Sequence, residues 1–420
     1  MTDYFEVHQR DGAARIGQLR LTEPRRTPAL VDDLVRDAGS EWVADRGLPD
    51  GDDSLLTVLP HRSFPAGTHE DVQEAFAVEY PDVDFPSAAV VTAETAADYG
   101  ADAYVLSELP GKVGHAAAFV ETAIRAREAL PADAALYLSG VATPGNVATL
   151  AYAGIDLFDA KRARVKGRLG RYLTVEGEHD LDDLEELPCA CSACADGLDG
   201  FDRAACAEHN VATLRAQLAT VRSRIRAGRL RDYIEGQARH EAWHTATFRE
   251  LDQQYGYLER RTPVFRDAEL LAASEDTLRR VEIQRFAQRV TERYRNRFEH
   301  PLVLVPCSAR KPYGESQSHR QFQDAIQYRA HRVSMTSPIG VVPQELELTY
   351  PAQHYDTVVT GEWTDGEKAF VADVLTRYLR RNEYPRVIAH LPPGAYREIC
   401  ERAADRVGVD VEFTVEDHPT

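Results

Sequence analysis

Two mostly apolar stretches, Ala135-Leu136-Tyr137-Leu138 and Ile155-Asp156-Leu157-Phe158, decide the fold of the first part of this chain. Each has the length and composition of a buried strand, and three further strands are predicted at residues 55–59, 88–91 and 103–106. Strands and helices that alternate with a period of about 30 residues indicate parallel βα units, arranged as an open sheet or a barrel. Since about 180 residues is short for eight such units, we expect a trimmed form if the sheet closes.

A second βα region is predicted toward the C-terminus. Residues 204–300 contain few glycines and many Arg, Glu, Leu and Ala, which favours helices. Pro301 then introduces a short buried strand at 302–305, which ends at Pro306-Cys307. Further strands and helices follow: strands at 357–360, 386–389 and 411–414, and helices at 366–380 and 395–407. The chain is therefore expected to be an α/β protein of several domains.

The charge balance is typical of a protein from a high-salt cytoplasm. Of 420 residues, 68 are Asp or Glu and 49 are Lys or Arg, which gives a net charge of −19, and the 49 include only 5 lysines. Salt screens self-repulsion of this kind, so the net charge alone does not exclude a nucleic-acid partner. The chain has no long apolar run and no basic-then-apolar N-terminus. We therefore expect a cytoplasmic protein without a membrane partner.

Four of the six cysteines fall between Cys189 and Cys206. Clustering of this kind in a cytoplasmic chain favours metal binding over disulfides. The thiolates of Cys189, Cys191 and Cys194 can face one ion, and the imidazole of His209 completes a tetrahedral set that suits structural zinc. Cys206 is the alternative fourth ligand. Chance clustering of small buried cysteines is the alternative to a metal site.

A segment rich in reactive groups follows the predicted strand 302–305: Pro306-Cys307-Ser308-Ala309-Arg310-Lys311-Pro312-Tyr313-Gly314-Glu315-Ser316-Gln317-Ser318-His319. Residues at the carboxyl ends of strands line the usual ligand crevice of α/β folds. A thiolate on Cys307 would be favoured by nearby basic groups and would add to an electrophilic carbon such as that of a nitrile. His319 is expected to shuttle protons, and Lys311 or Tyr313 to stabilise negative charge on nitrogen. A strand-end loop with a buried cysteine and solvated polar residues is the alternative.

Two basic clusters reverse the local sign of charge. The first is predicted to contact RNA phosphates and consists of Lys161, Arg162, Arg164, Lys166, Arg168 and Arg171. The second is a further candidate for phosphate contact and consists of Arg222, Arg224, Arg226, Arg229 and Arg231. Solvated helix faces, balanced by nearby acids, are the alternative.

The sequence His240-Glu241-Ala242-Trp243-His244 fits the HExxH pattern of zinc proteases, but no third ligand is evident downstream, so we expect an ordinary helix there.

Several of these segments resemble the tRNA-guanine transglycosylases. The similar segments are the CxCxxC run followed by His209-Asn210, the N-terminal Phe5-Glu6-Val7 and Arg10-Asp11-Gly12, and Gly154-Ile155-Asp156-Leu157-Phe158-Asp159. The resemblance implies a trimmed, TIM-barrel-like N-terminal domain and puts Asp159 where that family has its nucleophilic aspartate. The family's base-binding Asp-Ser-Gly-Gly-Phe-Gln segment is absent. Asp159 is therefore expected either to keep this role or to be a relic that binds the nucleoside or packs structurally.

The spacing Pro-Cys-x3-Lys-Pro-Tyr-x2-Ser-x2-His resembles the signature of archaeosine synthases. This resemblance implies a catalytic site made of Cys307, Lys311, Tyr313, Ser316 and His319. It also implies a transferase that adds an amine, from free lysine, to the nitrile of 7-cyano-7-deazaguanine in the D-arm of tRNA. A radical-SAM lyase partner would then cleave the adduct to archaeosine.

These segments predict three parts: a transglycosylase-like βα barrel domain at residues 1–185, a zinc-binding and helical region at 186–300, and an α/β domain carrying the archaeosine synthase motif at 301–420. A tRNA-gripping PUA domain, usual at the end of such proteins, is expected to be missing from the chain. A homodimer is one expected assembly. Two other functions stay open: a transglycosylase that exchanges guanine for the deazaguanine base, and a non-catalytic tRNA-binding subunit.

Overall fold

The computed structural model describes residues 2–358 and 362–414. The chain forms two compact units, Met1–Pro263 and Val264–Thr420, and each has a hydrophobic core of its own. Within the described residues, every helix is too short or too polar to cross a membrane.

The first unit contains twelve described strands and eight described α-helices. Its strands are β1 (Phe5–Asp11), β2 (Ala14–Leu19), β3 (Arg25–Thr27), β4 (Ala29–Leu30), β5 (Val35–Asp37), β6 (Leu56–Val58), β7 (Ser87–Val91), β8 (Ala103–Leu106), β9 (Ala135–Leu138), β10 (Leu157–Phe158), β11 (Arg171–Leu173) and β12 (Glu178–Asp180). Its helices are α1 (Glu70–Ala75), α2 (Ala116–Ala129), α3 (Val147–Tyr152), α4 (Lys161–Arg168), α5 (Arg203–Arg226), α6 (Leu230–Gln237), α7 (Ala242–Gln253) and α8 (Tyr255–Glu259).

The main sheet of the first unit is strongly curled. Its order is β4-β10-β9-β8-β7-β6-β5, and neighbouring strands are parallel. The two outer strands, β4 and β5, are consecutive in the chain and are joined by residues 31–34 alone. The predicted α/β class with a trimmed, TIM-barrel-like first part is thereby confirmed. Val58, Val90 and Tyr137 belong to its core, to which the antiparallel pair β1–β2 adds Phe5 and Leu19.

A buried ion pair ties the β1–β2 pair to this sheet. Arg15 of β2 donates to both carboxylate oxygens of Asp156, at 2.7 Å each. Asp156 also accepts the backbone N–H of Leu136 at 2.8 Å. Buried charges are tolerated only when they are paired and hydrogen-bonded, so Asp156 belongs to the scaffold of the sheet.

The second unit contains a five-stranded sheet. Its elements are β13 (Leu270–Ala272), α9 (Val281–Gln288), β14 (Leu302–Pro306), α10 (Gln317–Ile326), β15 (His331–Thr336), β16 (Gly340–Pro343), β17 (Tyr355–Thr357), α11 (Asp365–Arg381), β18 (Val387–His390), α12 (Ala395–Val407) and β19 (Val411–Thr414). The sheet has the order β16-β15-β14-β18-β19, with the edge strand β16 antiparallel to β15 and the other pairs parallel. β13 and β17 form a separate parallel pair.

The second βα region agrees with the sequence in most of its strands. The strands predicted at 302–305, 386–389 and 411–414 are β14, β18 and β19, each within one residue of its predicted bounds. The strand predicted at 357–360 is displaced, because β17 ends at Thr357. Residues 359 and 360 of that prediction lie outside the described residues.

The border between the units differs from the predicted end of the helical region at residue 300. Leu270, Ile283 and Phe286 pack into the core of the second unit, so residues 264–300 belong to that unit by packing. This part also includes a strand, β13, that the helix-favouring composition did not predict. The division into 1–185, 186–300 and 301–420 stays a prediction about domains.

Candidate functional site

The predicted catalytic segment begins at the carboxyl end of β14. This strand lies in the middle of its sheet, parallel to β15 and β18 on either side. The loops that follow these three strands therefore meet at one edge of the sheet, the usual ligand crevice of an α/β fold. Cys307 is the first residue after β14 and is half-buried, so the strand positions its thiol at this edge.

Cys307 lines a cavity of about 310 Å³. Its Sγ atom lies 3.4 Å from the hydroxyl oxygen of Tyr396. Tyr396 packs against Trp363 with ring centroids 4.8 Å apart, and Ser337 donates to the carboxylate of Glu367 at 2.5 Å on the same wall. Ligand pockets typically measure roughly 300–1,000 Å³, so the cavity can hold a small ligand beside the thiol.

The sequence analysis did not identify Tyr396 as a site residue. It lies in the first turn of α12, shortly after β18 ends. Gly394, just before the helix, has a φ of +93°, a backbone conformation that glycine adopts readily. A sequence signal for Tyr396 was available, namely the glycine that follows the predicted strand β18. Because β18 is parallel to β14, residues that follow either strand lie at the same edge of the sheet.

Lys311 and Tyr313 meet at Tyr355, which the sequence analysis did not include among the catalytic residues. The Nζ atom of Lys311 lies 4.0 Å from the centroid of the Tyr355 ring, and the hydroxyl oxygens of Tyr313 and Tyr355 are 2.5 Å apart. Burial lowers the pKa of Lys311, although the charge of Cys307 acts in the opposite direction and raises it. Burial also raises the pKa of Tyr313 well above its ordinary value. The ammonium group is therefore a stronger acid than in water, whereas the phenol keeps its proton.

A series of hydrogen bonds holds both ends of this segment. Nε2 of His319 donates to the carbonyl oxygen of Pro306 at 2.9 Å, and Nδ1 accepts from Arg332 at 3.0 Å. These roles follow from the partners, since a carbonyl only accepts and a guanidinium only donates. Arg332 also binds Glu347 at 3.0 Å, and Glu347 accepts the backbone N–H of Gly314 at 3.2 Å. The end of β14, helix α10 and the middle of the segment are thereby fixed relative to one another.

Ser316 and His319 hold the local structure of this segment. Ser316 caps α10 by accepting the backbone N–H of His319 at 3.2 Å, and Tyr313 stacks on the His319 ring. Burial, together with the charge of Arg332, lowers the pKa of His319 to about 4, and both of its ring nitrogens are engaged. A direct catalytic role for these two residues, including proton shuttling by His319, stays a prediction.

Asp159 lies at the end of β10 in the first unit and lines a cavity of about 540 Å³. Its buried carboxylate accepts four hydrogen bonds at 2.5–3.1 Å, from the hydroxyls of Tyr137 and Ser139 and from the backbone N–H groups of Gly140 and Lys161. A carboxylate with this many donors must break hydrogen bonds before one of its oxygens can attack a carbon. The arrangement therefore favours a binding or packing role over a nucleophilic one.

The first unit also holds a cluster that could bind a metal ion. One donor atom from each of four side chains lies within 4.8 Å of the others: Cys189, Cys191, Cys194 and His209. The Sγ atoms of Cys191 and Cys194 are 3.6 Å apart, and Nδ1 of His209 lies 3.3 Å from Sγ of Cys194. Nε2 of His209 donates to the carbonyl oxygen of Leu173, which leaves Nδ1 for an ion. Cys206, the alternative ligand, lies against a backbone carbonyl outside the cluster.

Most of the first basic cluster is neutralised within the protein. Four of its six members form ion pairs with carboxylates: Lys161, Arg164, Lys166 and Arg171. Arg162 and Arg168 form none among the described residues. In the second cluster, Arg229 and Arg231 are paired with carboxylates.

The HExxH residues do not share a helix face, because α7 begins only at Ala242.

Comparison with known proteins finds a family match in each of the two units. Residues 67–242 match the family described as Queuine tRNA-ribosyltransferase, and residues 283–420 match one described as a domain of unknown function. The archaeosine synthase of Haloferax volcanii is 69% identical over 420 residues, covering 100% of this chain and 72% of that protein. Archaeosine synthase subunit alpha of Methanosarcina acetivorans is 42% identical, covering 99% and 72%. The tRNA-guanine(15) transglycosylase of Haloarcula marismortui is 32% identical, covering 51% and 42%.

The curled βα sheet and its family match put the first unit among transglycosylase-related, tRNA-modifying transferases. The transglycosylase aligns with only about half of the chain, whereas the archaeosine synthases align with nearly all of it, including the Cys307 segment. The chain belongs to the archaeosine synthase family and is, as predicted, a tRNA-modifying transferase of archaeosine biosynthesis. The likeness to a protein of a halophilic archaeon agrees with the predicted high-salt setting.

The lowered pKa of His319 predicts acid sensitivity of the second unit. An unfolded histidine takes up a proton near pH 6.5, whereas His319 in the folded chain does so at about 4. The unfolded state binds more protons between these values, so the free energy of unfolding falls as the pH decreases from about 6.5 to about 4. In denaturant titrations across this range, His319→Gln is expected to show a shallower pH dependence. His354→Gln, at an exposed position, is the control, and equal slopes in all three proteins would contradict the prediction.

Proposed function

We propose that this enzyme adds an amine to the nitrile of 7-cyano-7-deazaguanine in the D-arm of tRNA, with Cys307 as the nucleophile. The observation that carries the proposal is the position of the Cys307 thiol, on the wall of a cavity at the carboxyl edge of the sheet. Thiolates are the attacking form of cysteine, and a nitrile carbon is an electrophile. Lys311, with its lowered pKa, supplies a proton donor in the same segment.

The reaction balances without an oxidant or a reductant. In the first step, Sγ of Cys307 bonds to the nitrile carbon, one carbon–nitrogen π bond becomes an electron pair on nitrogen, and a proton from Lys311 completes a thioimidate. In the second step, the donor amine, in its neutral form, bonds to the same carbon and gives one proton back to Lys311, the carbon–sulfur bond breaks, and the thiolate leaves. The amine has then been added across the nitrile to give an amidine, and no atom is lost.

Free lysine is the proposed amine donor. The cavity beside Cys307 is lined by Glu275, Glu362 and Glu367, and neither Lys nor Arg lines it among the described residues. A cavity of this polarity attracts a cationic amino acid. A radical-SAM lyase is the proposed partner that would release archaeosine from the lysine adduct, and a homodimer is the proposed assembly.

Product analysis tests the nitrile chemistry. With free lysine and tRNA bearing the cyano base, the wild-type chain is expected to yield a nucleoside heavier by the full mass of lysine. Cys307→Ala is expected to slow the reaction by at least about 10³-fold, as loss of a nucleophile commonly does. Cys400→Ala removes a buried thiol from the same unit and serves as the matched control. Unmodified tRNA with the wild type would favour the tRNA-binding subunit, and release of free base would indicate transglycosylation.

We also propose that the Cys189, Cys191, Cys194 and His209 cluster holds a structural zinc ion. Tetrahedral zinc–sulfur bonds of about 2.3 Å put two sulfurs about 3.8 Å apart, close to the 3.6 Å between Cys191 and Cys194. Three thiolates and one imidazole leave no open position on such an ion, so it would stabilise the fold and take no part in the chemistry.

Elemental analysis tests this ligand set. The purified chain is expected to contain about one zinc, and Cys194→Ser is expected to lower both the zinc content and the unfolding temperature. Cys206→Ser should keep its zinc, since that thiol lies outside the cluster. Zinc retained by the first variant and lost by the second would contradict the assignment.

A further inference from the structure

Four arginines line a cavity of about 380 Å³ in the first unit, which the chemistry above does not use. Ala29 and Leu30 of β4 and Leu218 of α5 form its apolar part, and the arginines come from β3 and α5: Arg25, Arg26, Arg215 and Arg222. On α5 the lining residues are spaced by three and four positions, which places them on one helix face. We call this feature the arginine cavity.

The positive charge of the arginine cavity is largely uncompensated. Arg25 pairs with Asp33 at 3.0 Å, and the charge of Arg215 also acts on this carboxylate from a longer distance. Among the described residues, no carboxylate lies within 4.0 Å of the guanidinium groups of Arg26, Arg215 or Arg222, and no acidic residue lines the cavity. In a chain with a net charge of −19, a concave surface whose charged lining residues are all arginines reverses the local sign. In the first basic cluster, four of six members form ion pairs within the described part of the chain, whereas in the arginine cavity one of the four arginines does.

The arginines are also held close to one another. Arg222 is fixed by donating to the carbonyl oxygen of Pro28 at 2.5 Å. Burial, followed by the charges of Arg26, Arg226 and Arg25, lowers the pKa of Arg222. Like charges held together in this way repel, and a bound anion would offset that cost. Phosphate oxygens match the planar donor fork of a guanidinium, so a phosphate group is the anion that fits best.

The arginine cavity adjoins the Asp159 cavity along the chain. Ala29 and Leu30 line the first, and Asp32, two residues later, lines the second together with Asp159. A polyanion held at one cavity would therefore pass close to the other. We propose that the arginine cavity binds a phosphodiester of the tRNA backbone and so holds the RNA at the mouth of the Asp159 cavity. This inference rests on the proposed tRNA substrate.

Salt-dependent tRNA binding by the full chain tests the inference. Removal of one arginine–phosphate interaction makes the slope of log K against log salt concentration shallower by about 1. Arg26→Gln and Arg215→Gln, which remove exposed arginines on two different elements, are each expected to weaken tRNA binding and to reduce the slope by about that amount. Arg203→Gln, also on α5 but outside the cavity and outside both basic clusters, is the control that removes the same charge.

The outcomes separate this inference from the proposed chemistry. Equal slopes for Arg26→Gln, Arg215→Gln and Arg203→Gln would overturn it, whether or not the chain modifies the nitrile. If inorganic phosphate raises the unfolding temperature of the wild type but not of Arg215→Gln, while the tRNA slopes stay equal, the cavity binds a small anion and the assignment to RNA is wrong. Reduced slopes in a chain that forms no lysine adduct would support the arginine cavity and contradict the proposed function.

Discussion

The two hydrogen bonds of the His319 imidazole are the constraint on which the second unit's site depends. The bond from Nε2 to the carbonyl oxygen of Pro306 holds the segment against the end of β14. The bond from Arg332 to Nδ1 links His319 to Glu347, which in turn accepts the backbone N–H of Gly314. Both require a neutral ring with fixed donor and acceptor nitrogens, which burial and the neighbouring arginine charge maintain. The Cys307 thiol lies on an irregular loop and gains its geometry from this support, because rigid neighbours hold a side chain in a fixed position.

We propose that the two units carry different parts of the function. The first unit has the curled βα sheet and a cluster that could hold a metal ion. It also has the buried carboxylate of Asp159, which accepts four hydrogen bonds from neighbouring groups. Such a unit is suited to holding RNA, and the arginine cavity gives it a surface of the right charge. In the second unit, the Cys307 thiol and Tyr396 lie close together, and Lys311, whose pKa is lowered, lies over the ring of Tyr355. This combination of groups is suited to addition at an electrophilic carbon.

The sequence predicted the features that are encoded locally. The apolar run at 302–305 and the residues directly after it gave β14 and Cys307, and the close spacing of three cysteines gave the metal cluster. Tyr396 and Tyr355 were not predicted as catalytic residues because they approach the segment from positions far along the chain. Packing buries the His319 imidazole and occupies both of its nitrogens, which the sequence did not indicate, and its proton-shuttle role stays a prediction. The border at Pro263 followed from core packing and not from composition.

The most direct measurement is the mass of the protein after incubation with cyano-tRNA in the absence of any amine. After an acid quench and digestion of the RNA to nucleosides, the wild-type chain should carry one nucleoside on the peptide that contains Cys307. In a parallel sample, lysine added before the quench should discharge this adduct as the amidine. Cys307→Ser should carry none. Formation of the lysine product with no adduct at any time, or an adduct on another residue, would contradict covalent attack by Cys307.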